Sequence, residues 1–324
     1  MKAFQHRNAK STAEAVSLLA GSRGRAIPIA GGSDLLGELK DRLETPDLVV
    51  NLKTIPGLDK VEARTGYVSV GPLVTVADLA EHPLIRQRFQ AAAEAASVIA
   101  SPQIRNVGTV GGNLCQRPRC WYYRGPFECL RKGGKTCFAV AGENRHHAIL
   151  GGGPSFIVHP SDLAPSLISL DAWVRIAGPS GERRMPLEQF FVLPTVAVDR
   201  ENVLKPDELL VEIGVPVPGA ETRSTYVKEM ERETWDFALA GAAVAVRQRD
   251  GKIEHARVVL SGVAPIPWRS KEAESALMGK PLDAASAALA AEEALESARP
   301  LRDNRYKVEL AKTVLRSALL RLMS

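Results

Sequence analysis

All four cysteines of this 324-residue chain, Cys115, Cys120, Cys129 and Cys137, fall within one stretch of 23 residues. Directly before them stands a glycine-dense turn, Gly108-Thr-Val-Gly-Gly-Asn113. Thiolates are soft ligands for zinc and iron, and glycines let a backbone come close to a ligand. Soft ligands gathered in one loop beside a glycine-lined surface point to a metal centre next to a second cofactor. That is electron-transfer chemistry.

The cysteines are separated by four, eight and seven residues. No Cys-x-x-Cys occurs, so neither a zinc ribbon nor a ferredoxin run is matched. Spacing alone leaves zinc and iron–sulfur open. Cysteines as small buried hydrophobes are the plain alternative, but four in one charged loop make poor packing material. Between Cys115 and Cys137 lie Arg117, Arg119, Arg124, Arg131, Lys132 and Lys135 against Glu128 alone, an excess of +5 that equals the excess of the whole chain. Such a loop would offset the charge of thiolates, or meet an acidic partner. No helix-turn-helix or zinc-finger spacing accompanies it, which argues against nucleic acid.

Two glycine segments could hold phosphate. In Ile29-Ala30-Gly31-Gly32-Ser33-Asp34-Leu35 a strand runs into two glycines and then a helix start, which turns backbone N–H groups toward phosphate oxygens. A tight turn capped by Ser33 or Asp34 is the plain alternative. The segment is not Gly-x-Gly-x-x-Gly, so a Rossmann site is not indicated. Arg105 to Asn113 offers glycines at 108, 111 and 112. Two such turns in one chain favour a large, phosphate-bearing ligand. Gly134-Lys135-Thr136 looks like the end of a Walker loop, but the motif's first glycine would fall on Cys129, which excludes it. His146, His147 and His159 stand in no His-Glu-x-x-His pattern and read as structural histidines.

These residues need elements to hold them. Ser11-Thr-Ala-Glu14 reads as a capping box opening a helix. Ala26 to Ala30 reads as a strand, Leu35 to Leu43 as a helix and Leu48 to Asn51 as a strand, a β-turn-α-β unit with parallel strands. Tyr67 to Val70 alternates as a strand, and Val76 to Ala100 reads as two helices broken near Pro83. Phe156 to Val158, Ala172 to Ala177 and Pro206 to Pro216 read as strands of a second sheet. Past Pro218-Gly219, Tyr226–Lys228, 241–246 and 256–261 alternate like an antiparallel sheet, and helices follow from about Ser270. The spacing predicts a domain boundary near 220.

Hydrophobic residues make up 45% and charged residues 24%, the composition of an ordinary globular protein. The length exceeds the ~250 residues at which single cores stop growing. No apolar run approaches the ~18 residues of a membrane span, and the first residues lack a signal-peptide core. Few cysteines in a long chain argue for a reducing compartment. The expectation is therefore cytoplasmic, with export alongside a partner as the other route.

Together these pieces resemble the FAD-binding (medium) subunit of the molybdenum hydroxylases, the xanthine dehydrogenase and aldehyde oxidoreductase family. Ala30 to Leu35, Gln103 to Leu114 and His159-Pro-Ser-Asp162 match the family's three flavin segments in order and spacing. Tyr226-Val-Lys228 and Asp236-Phe237 match its C-terminal domain. The resemblance implies an α+β chain: a vanillyl-alcohol-oxidase-type FAD-binding fold of two α/β subdomains, plus a C-terminal antiparallel sheet with helices. The FAD-binding domain would span 1–220, with subdomains of about 1–57 and 58–220 and the cysteine loop at 115–137; the second domain would span 221–324. Ile29 to Leu35 and the set Asn106, Gly108, Thr109, Gly111, Gly112 and Asn113 would wrap the FAD diphosphate. Asp162 would hydrogen-bond the flavin's sugar-alcohol chain, and Lys228 would lie near the isoalloxazine.

The cysteine loop resembles that of two subgroups, bacterial molybdenum aldehyde oxidoreductases and 4-hydroxybenzoyl-CoA reductase, which carry a [4Fe–4S] cluster on this subunit. Cys120, Cys129 and Cys137 correspond to three of its ligands. Where the relatives have the fourth, this chain has Ser155, so Cys115 or Ser155 would complete the set, or the cluster would be a labile one held by three ligands. The resemblance implies a molybdopterin-binding large subunit and a [2Fe–2S] small subunit as partners. Electrons would pass through the [2Fe–2S] clusters to FAD, with no general acid or base in this chain, in aldehyde oxidation. The rivals are a 4-hydroxybenzoyl-CoA reductase subunit, a zinc-stabilised interaction subunit and a standalone flavin oxidase.

Overall fold

The computed structural model describes residues 1–323. Strand β1 (Gln5–Asn8) leads into helix α1 (Thr12–Gly21), where Ser11 Oγ caps the helix by accepting from Glu14 N at 3.1 Å. Strand β2 (Ala26–Ile29), helix α2 (Leu35–Lys40) and strand β3 (Leu48–Asn51) complete a parallel sheet in the order β1-β3-β2. The parallel β2–α2–β3 unit is the one the sequence predicts. Strand β1, whose four residues are all exposed, carries no apolar alternation to announce it.

The next portion begins with β4 (Val61–Arg64) and β5 (Tyr67–Val70). Helices α3 (Val76–Glu81), α4 (Pro83–Arg88), α5 (Gln90–Ser97), α6 (Pro102–Arg105), α7 (Val110–Cys115) and α8 (Trp121–Arg124) follow. Between 76 and 97 there are three helices rather than the two expected, because the chain breaks again at Phe89, whose φ of −134° and ψ of 57° are not helical. Helix α9 (Leu163–Ser169), then β6 (Trp173–Gly178), β7 (Gly181–Pro186) and β8 (Leu209–Pro216), complete a second sheet in the order β4-β5-β8-β6-β7. Every pairing in it is antiparallel. Phe156 to Val158, expected as a strand, belongs to no sheet. Its backbone instead bonds locally, Ala148 N donating to Phe156 O at 2.9 Å.

The remainder is β9 (Thr222–Glu229), β10 (Ala240–Arg249), β11 (Lys252–Ser261) and β12 (Trp268–Arg269) in one antiparallel sheet, followed by α10 (Lys271–Leu277), α11 (Ala284–Leu295) and α12 (Tyr306–Arg321). Asp250 and Gly251 join β10 to β11 with positive φ at both positions, the two-residue turn that suits the twist of a hairpin. Ala287, Ala290, Ala291 and Ala294 of α11 let it lie close to Leu315 and Leu319 of α12 over this sheet. Truncating either leucine to alanine would cost about 3 kcal/mol.

A separate core, containing Phe89, Leu114, Leu163, Ile176 and Ile213, lies between α5, α7, α9 and the second sheet. Both sides of residue 220 meet at Glu94 on α5, whose carboxylate accepts from Thr225 Oγ1 and Tyr226 N on β9, each at 2.8 Å.

Candidate flavin groove and cysteine loop

The two glycine turns lie against each other. A side chain on Gly31 would overlap the carbonyl oxygen of Val107, and one on Gly108 would come 3.0 Å from Ile104 O and 3.6 Å from Ser33 Oγ. Gly32 takes a φ of +72°, which glycine adopts without strain. The second turn is tied down by Gly108 O, which accepts from Val76 N, and by Gly111 N, which donates to Pro72 O at 2.8 Å. A Cβ at Gly111 would stand 2.7 Å from Pro72 Cβ. Thr109 Oγ1 caps α7, accepting from Gly112 N at 3.2 Å.

The third segment closes over these turns. Asn113 Oδ1 accepts from Ser161 Oγ at 2.6 Å. Asp162 is buried and accepts from Tyr226 OH at 2.7 Å and Lys228 Nζ at 2.8 Å. Lys228 also donates to Asp236 O at 2.8 Å and Val98 O at 3.2 Å. With side-chain exposures of 2% and 5%, Lys228 and Asp162 form a buried pair whose charges each need the other. Burial and the Asp162 charge push the Tyr226 hydroxyl well above its ordinary pKa.

Two adjoining clefts share Arg119, Pro160, Asp162, Asp236 and Phe237, which makes them one groove. Of the flavin residues singled out in the sequence, Ser33, Asp34, Gly108, Thr109, Gly112, Asn113 and Asp162 line it, and so does Cys120 of the cysteine loop. Ile29, Ala30, Gly31, Gly32, Leu35, Asn106, Gly111 and Lys228 do not, and stand behind it as support. The sequence reading missed Arg119, whose guanidinium lies 5.2 Å from the Phe237 ring, and the exposed Trp235 on the rim. Trp235 sits at a φ of +63°, and its N–H donates to Ala100 O. An exposed aromatic beside a matched Asp-Phe pair is the signal that could have found it.

The cysteines separate into three and one. The Cys120 thiol is pushed up to about 11, chiefly by burial, with the charges of Cys129 and Cys137 adding to the rise. Cys129 and Cys137 are thus near enough for their charges to be felt at Cys120. Gly134 makes this possible: a Cβ there would overlap Glu128 O, and the tight turn it permits pairs Cys129 with Thr136. Cys115 ends α7 and packs against the first core, its thiol pushed up to about 12 by burial alone. Ser155 is buried. Cys120 Sγ lies 3.3 Å from Nε2 of His147, whose pKa burial lowers to about 4. Among the described residues no group of three or more His, Cys, Asp or Glu stands close enough to hold a metal ion.

The basic excess of this loop is neutralised otherwise than expected. Asp34 does not cap α2; its carboxylate accepts from Arg117 N and Arg124 Nη2, each at 2.8 Å, and from Arg119 Nη1. Glu201, buried, pairs with Arg131 and with Arg117 Nε at 3.0 Å. Carboxylates from outside the loop, rather than thiolates, balance these guanidiniums. Beneath Arg124, Glu38 is pushed up to about 7 by burial and by Asp34. His159 is buried with its ring edge on Phe191 and its pKa lowered to about 3 by burial, but its Nε2 has no hydrogen-bond partner and the residue lines the groove, unlike a satisfied structural histidine.

A groove floored by two abutting glycine turns and closed by a buried Asp–Lys pair belongs to the FAD-binding class of oxidoreductase subunits. Residues 2–218 match the FAD-binding domain in molybdopterin dehydrogenase, and residues 225–323 the CO dehydrogenase flavoprotein C-terminal domain. The chain belongs to the FAD-binding medium subunits of the molybdenum hydroxylase family, of the CO dehydrogenase and aldehyde oxidoreductase type. It is 36% identical to the aldehyde oxidoreductase FAD-binding subunit PaoB of Escherichia coli (strain K12), over 98% of each chain. It is 30% identical to the carbon monoxide dehydrogenase medium chain of Hydrogenophaga pseudoflava, covering 98% of this chain and 96% of that one. The solved carbon monoxide dehydrogenase of that organism superposes with a TM-score of 0.80 at 29% identity, covering 99% and 97%. Quinoline 2-oxidoreductase from Pseudomonas putida 86 gives 0.78 at 25% identity, covering 99% and 98%. These relatives are oxidoreductase subunits, and the fold they share is the one the resemblance implies. No helix among the described residues is long and apolar enough to cross a membrane.

Proposed function

We propose that this chain is the electron-transfer subunit of a molybdenum hydroxylase that oxidises aldehydes, holding FAD in the groove. The carrying observation is the approach of Gly31 to Val107, so close that no side chain fits there, which brings the two glycine turns together at the groove. FAD supplies a two-electron store that can release electrons singly. The chain's own residues bind and orient it. Ser33, Gly108, Thr109 and Gly112 line the diphosphate end, with Ile29, Ala30, Gly31, Gly32, Leu35, Asn106 and Gly111 fixing that backbone. Asn113 and Asp162 face the sugar-alcohol chain, and Lys228 holds Asp162 in place near the ring. Residues 1–220 form the FAD-binding domain and 221–324 the second, with Tyr226 and Lys228 reaching across.

A [4Fe–4S] cluster would draw on Cys120, Cys129 and Cys137; among the described residues no three such donors stand close enough to hold a metal ion, so the loop would have to draw these thiols together to bind one. Such a cluster supplies one-electron chemistry. Cys115 or Ser155 would supply the fourth donor; both are withdrawn from water, which disfavours the charged form of either. The similarity to an aldehyde oxidoreductase subunit supports the aldehyde reading. Membership of this family also supports partners that carry molybdopterin and [2Fe–2S] clusters.

The test is the flavin released on denaturing the purified full chain, identified by chromatography. FAD is expected, with Gly111→Val and Asp34→Ala both depleted. FMN, or full FAD occupancy in both variants, would contradict the assignment.

A further inference from the structure

Asp34 is the last side chain of the first glycine turn, yet its donors come from more than 80 positions away. The Arg117 N–H and the Arg124 guanidinium reach it at 2.8 Å, and Arg119 completes the set. Asp34 and Arg124 side chains are each 18% exposed, so these charge-assisted bonds are partly shielded from water. Arg124 lines neither cleft of the flavin groove; it opens onto a separate cleft with Tyr123, Gly125 and Lys132. Its other carboxylate contact, Glu38 at 3.5 Å, is also on α2. Arg124 therefore reaches the groove through Asp34 and the helix that follows Gly31-Gly32, and within the loop through its bonds to Pro118 O at 2.8 Å and Arg117 O at 3.3 Å. Glu201 is a second anchor, holding Arg131 further along the loop and Arg117 at its start.

We infer that Asp34 is a latch, a positioning residue that couples the order of the cysteine loop to flavin binding. The inference rests on the FAD reading of the groove. When Asp34 is held by the loop, the neighbouring Ser33 keeps its Oγ beside Gly108, and all three residues line the groove. Coupling between two sites is reciprocal. A docked loop that favours flavin requires that bound flavin favour the docked loop by the same factor. Flavin binding and loop order would then rise and fall together, also at loop residues such as Arg124 that do not line the groove.

The experiment titrates FAD into the full chain by fluorescence quenching and follows hydrogen exchange over residues 116–137 with and without FAD. Arg124→Met is expected to weaken FAD binding about tenfold, within the usual range of such couplings. FAD should slow exchange of the loop in the wild-type chain and leave it unchanged in the variant. Asp34→Asn should weaken binding similarly, and the double variant no more than either alone. Arg64→Met, at an exposed pair with Glu62, serves as the control and should change neither readout. If Arg124→Met binds FAD like the wild type and FAD still protects its loop, the latch is overturned while the FAD reading stands. If the wild-type chain takes up no FAD, the FAD reading fails and takes the latch with it. Should Arg124→Met fail to fold, Arg124→Lys, which keeps the charge and loses the planar fork, carries the same comparison.

Discussion

The flavin groove and the cysteine loop lie side by side and are built by opposite means. The groove is a backbone structure: Gly31, Gly108 and Gly111 sit where a Cβ would press on Val107, Ile104 or Pro72, and main-chain bonds hold the turns. The loop from Gln116 to Thr136 has no strand and only a single turn of α-helix, and it is held by side chains, with guanidiniums on Asp34, Glu38 and Glu201. Backbone close packing gives a surface of fixed shape, suited to a large ligand of fixed chemistry. Ion pairing gives a surface that comes undone one residue at a time. The buried Lys228–Asp162 pair is the exception in the groove, and it should be the costliest point of failure.

Lys228→Met leaves the Asp162 carboxylate buried without its cation and should cost about 3–5 kcal/mol. Urea unfolding reads this directly, and restoring most of the loss with Asp162→Asn in the same chain would show that the unpaired charge was the cause. Gly31→Val should cost about 3 kcal/mol by overpacking and empty the groove; an undiminished flavin content would mean that the turns need not touch. In the loop, Glu201→Gln strips Arg131 and Arg117 of their carboxylate. Its expected signature is faster exchange across 128–137, with a smaller loss of FAD affinity than Arg124→Met. The reverse order of effects would move the latch from Asp34 to Glu201.

The smallest effects are in pH dependence, and they carry opposite signs in the two regions. Glu38, beside the loop, is pushed up to about 7 from 4.5, so the folded chain binds its proton more tightly than the unfolded chain. Its contribution is whole below 4.5 and is lost as pH rises through 7. Lys307, fully buried behind the groove, donates to His146 O, His147 O and Gly262 O and is lowered by burial from 10.5 to about 7. The cost of its burial is relieved as pH rises from 7 to 10.5. Denaturation midpoints across pH should therefore lose a falling slope in Glu38→Gln and a rising one in Lys307→Met. Parallel curves for variant and wild type would remove the assigned protonation states.

What was legible in the sequence follows the same division. Glycine turns announce themselves because only glycine serves there, and the segments Ile29 to Leu35 and Arg105 to Asn113 stand out without any knowledge of what they face. The parallel unit and the alternating strands from Tyr226 onward follow from periodicity. Helix α9 escaped because all seven of its residues are buried, leaving no polar face to set a period. Strand β7, Gly-Glu-Arg-Arg-Met-Pro, escaped because an exposed edge strand can be charged throughout. The partners of Asp34 and Glu201 were beyond reach, since pairings across 70 to 90 positions depend on how the loop folds back. The basic excess was visible; what neutralises it was not.

The central claim is that one chain holds flavin in the groove and an iron–sulfur cluster in the adjoining loop. An absorption spectrum of the purified chain, with iron, acid-labile sulfide and zinc assayed on the same sample, tests it most directly. Flavin bands with about four irons per chain are the predicted result. Flavin without iron would leave the groove standing and remove the cluster, and a colourless protein carrying one zinc would contradict the account.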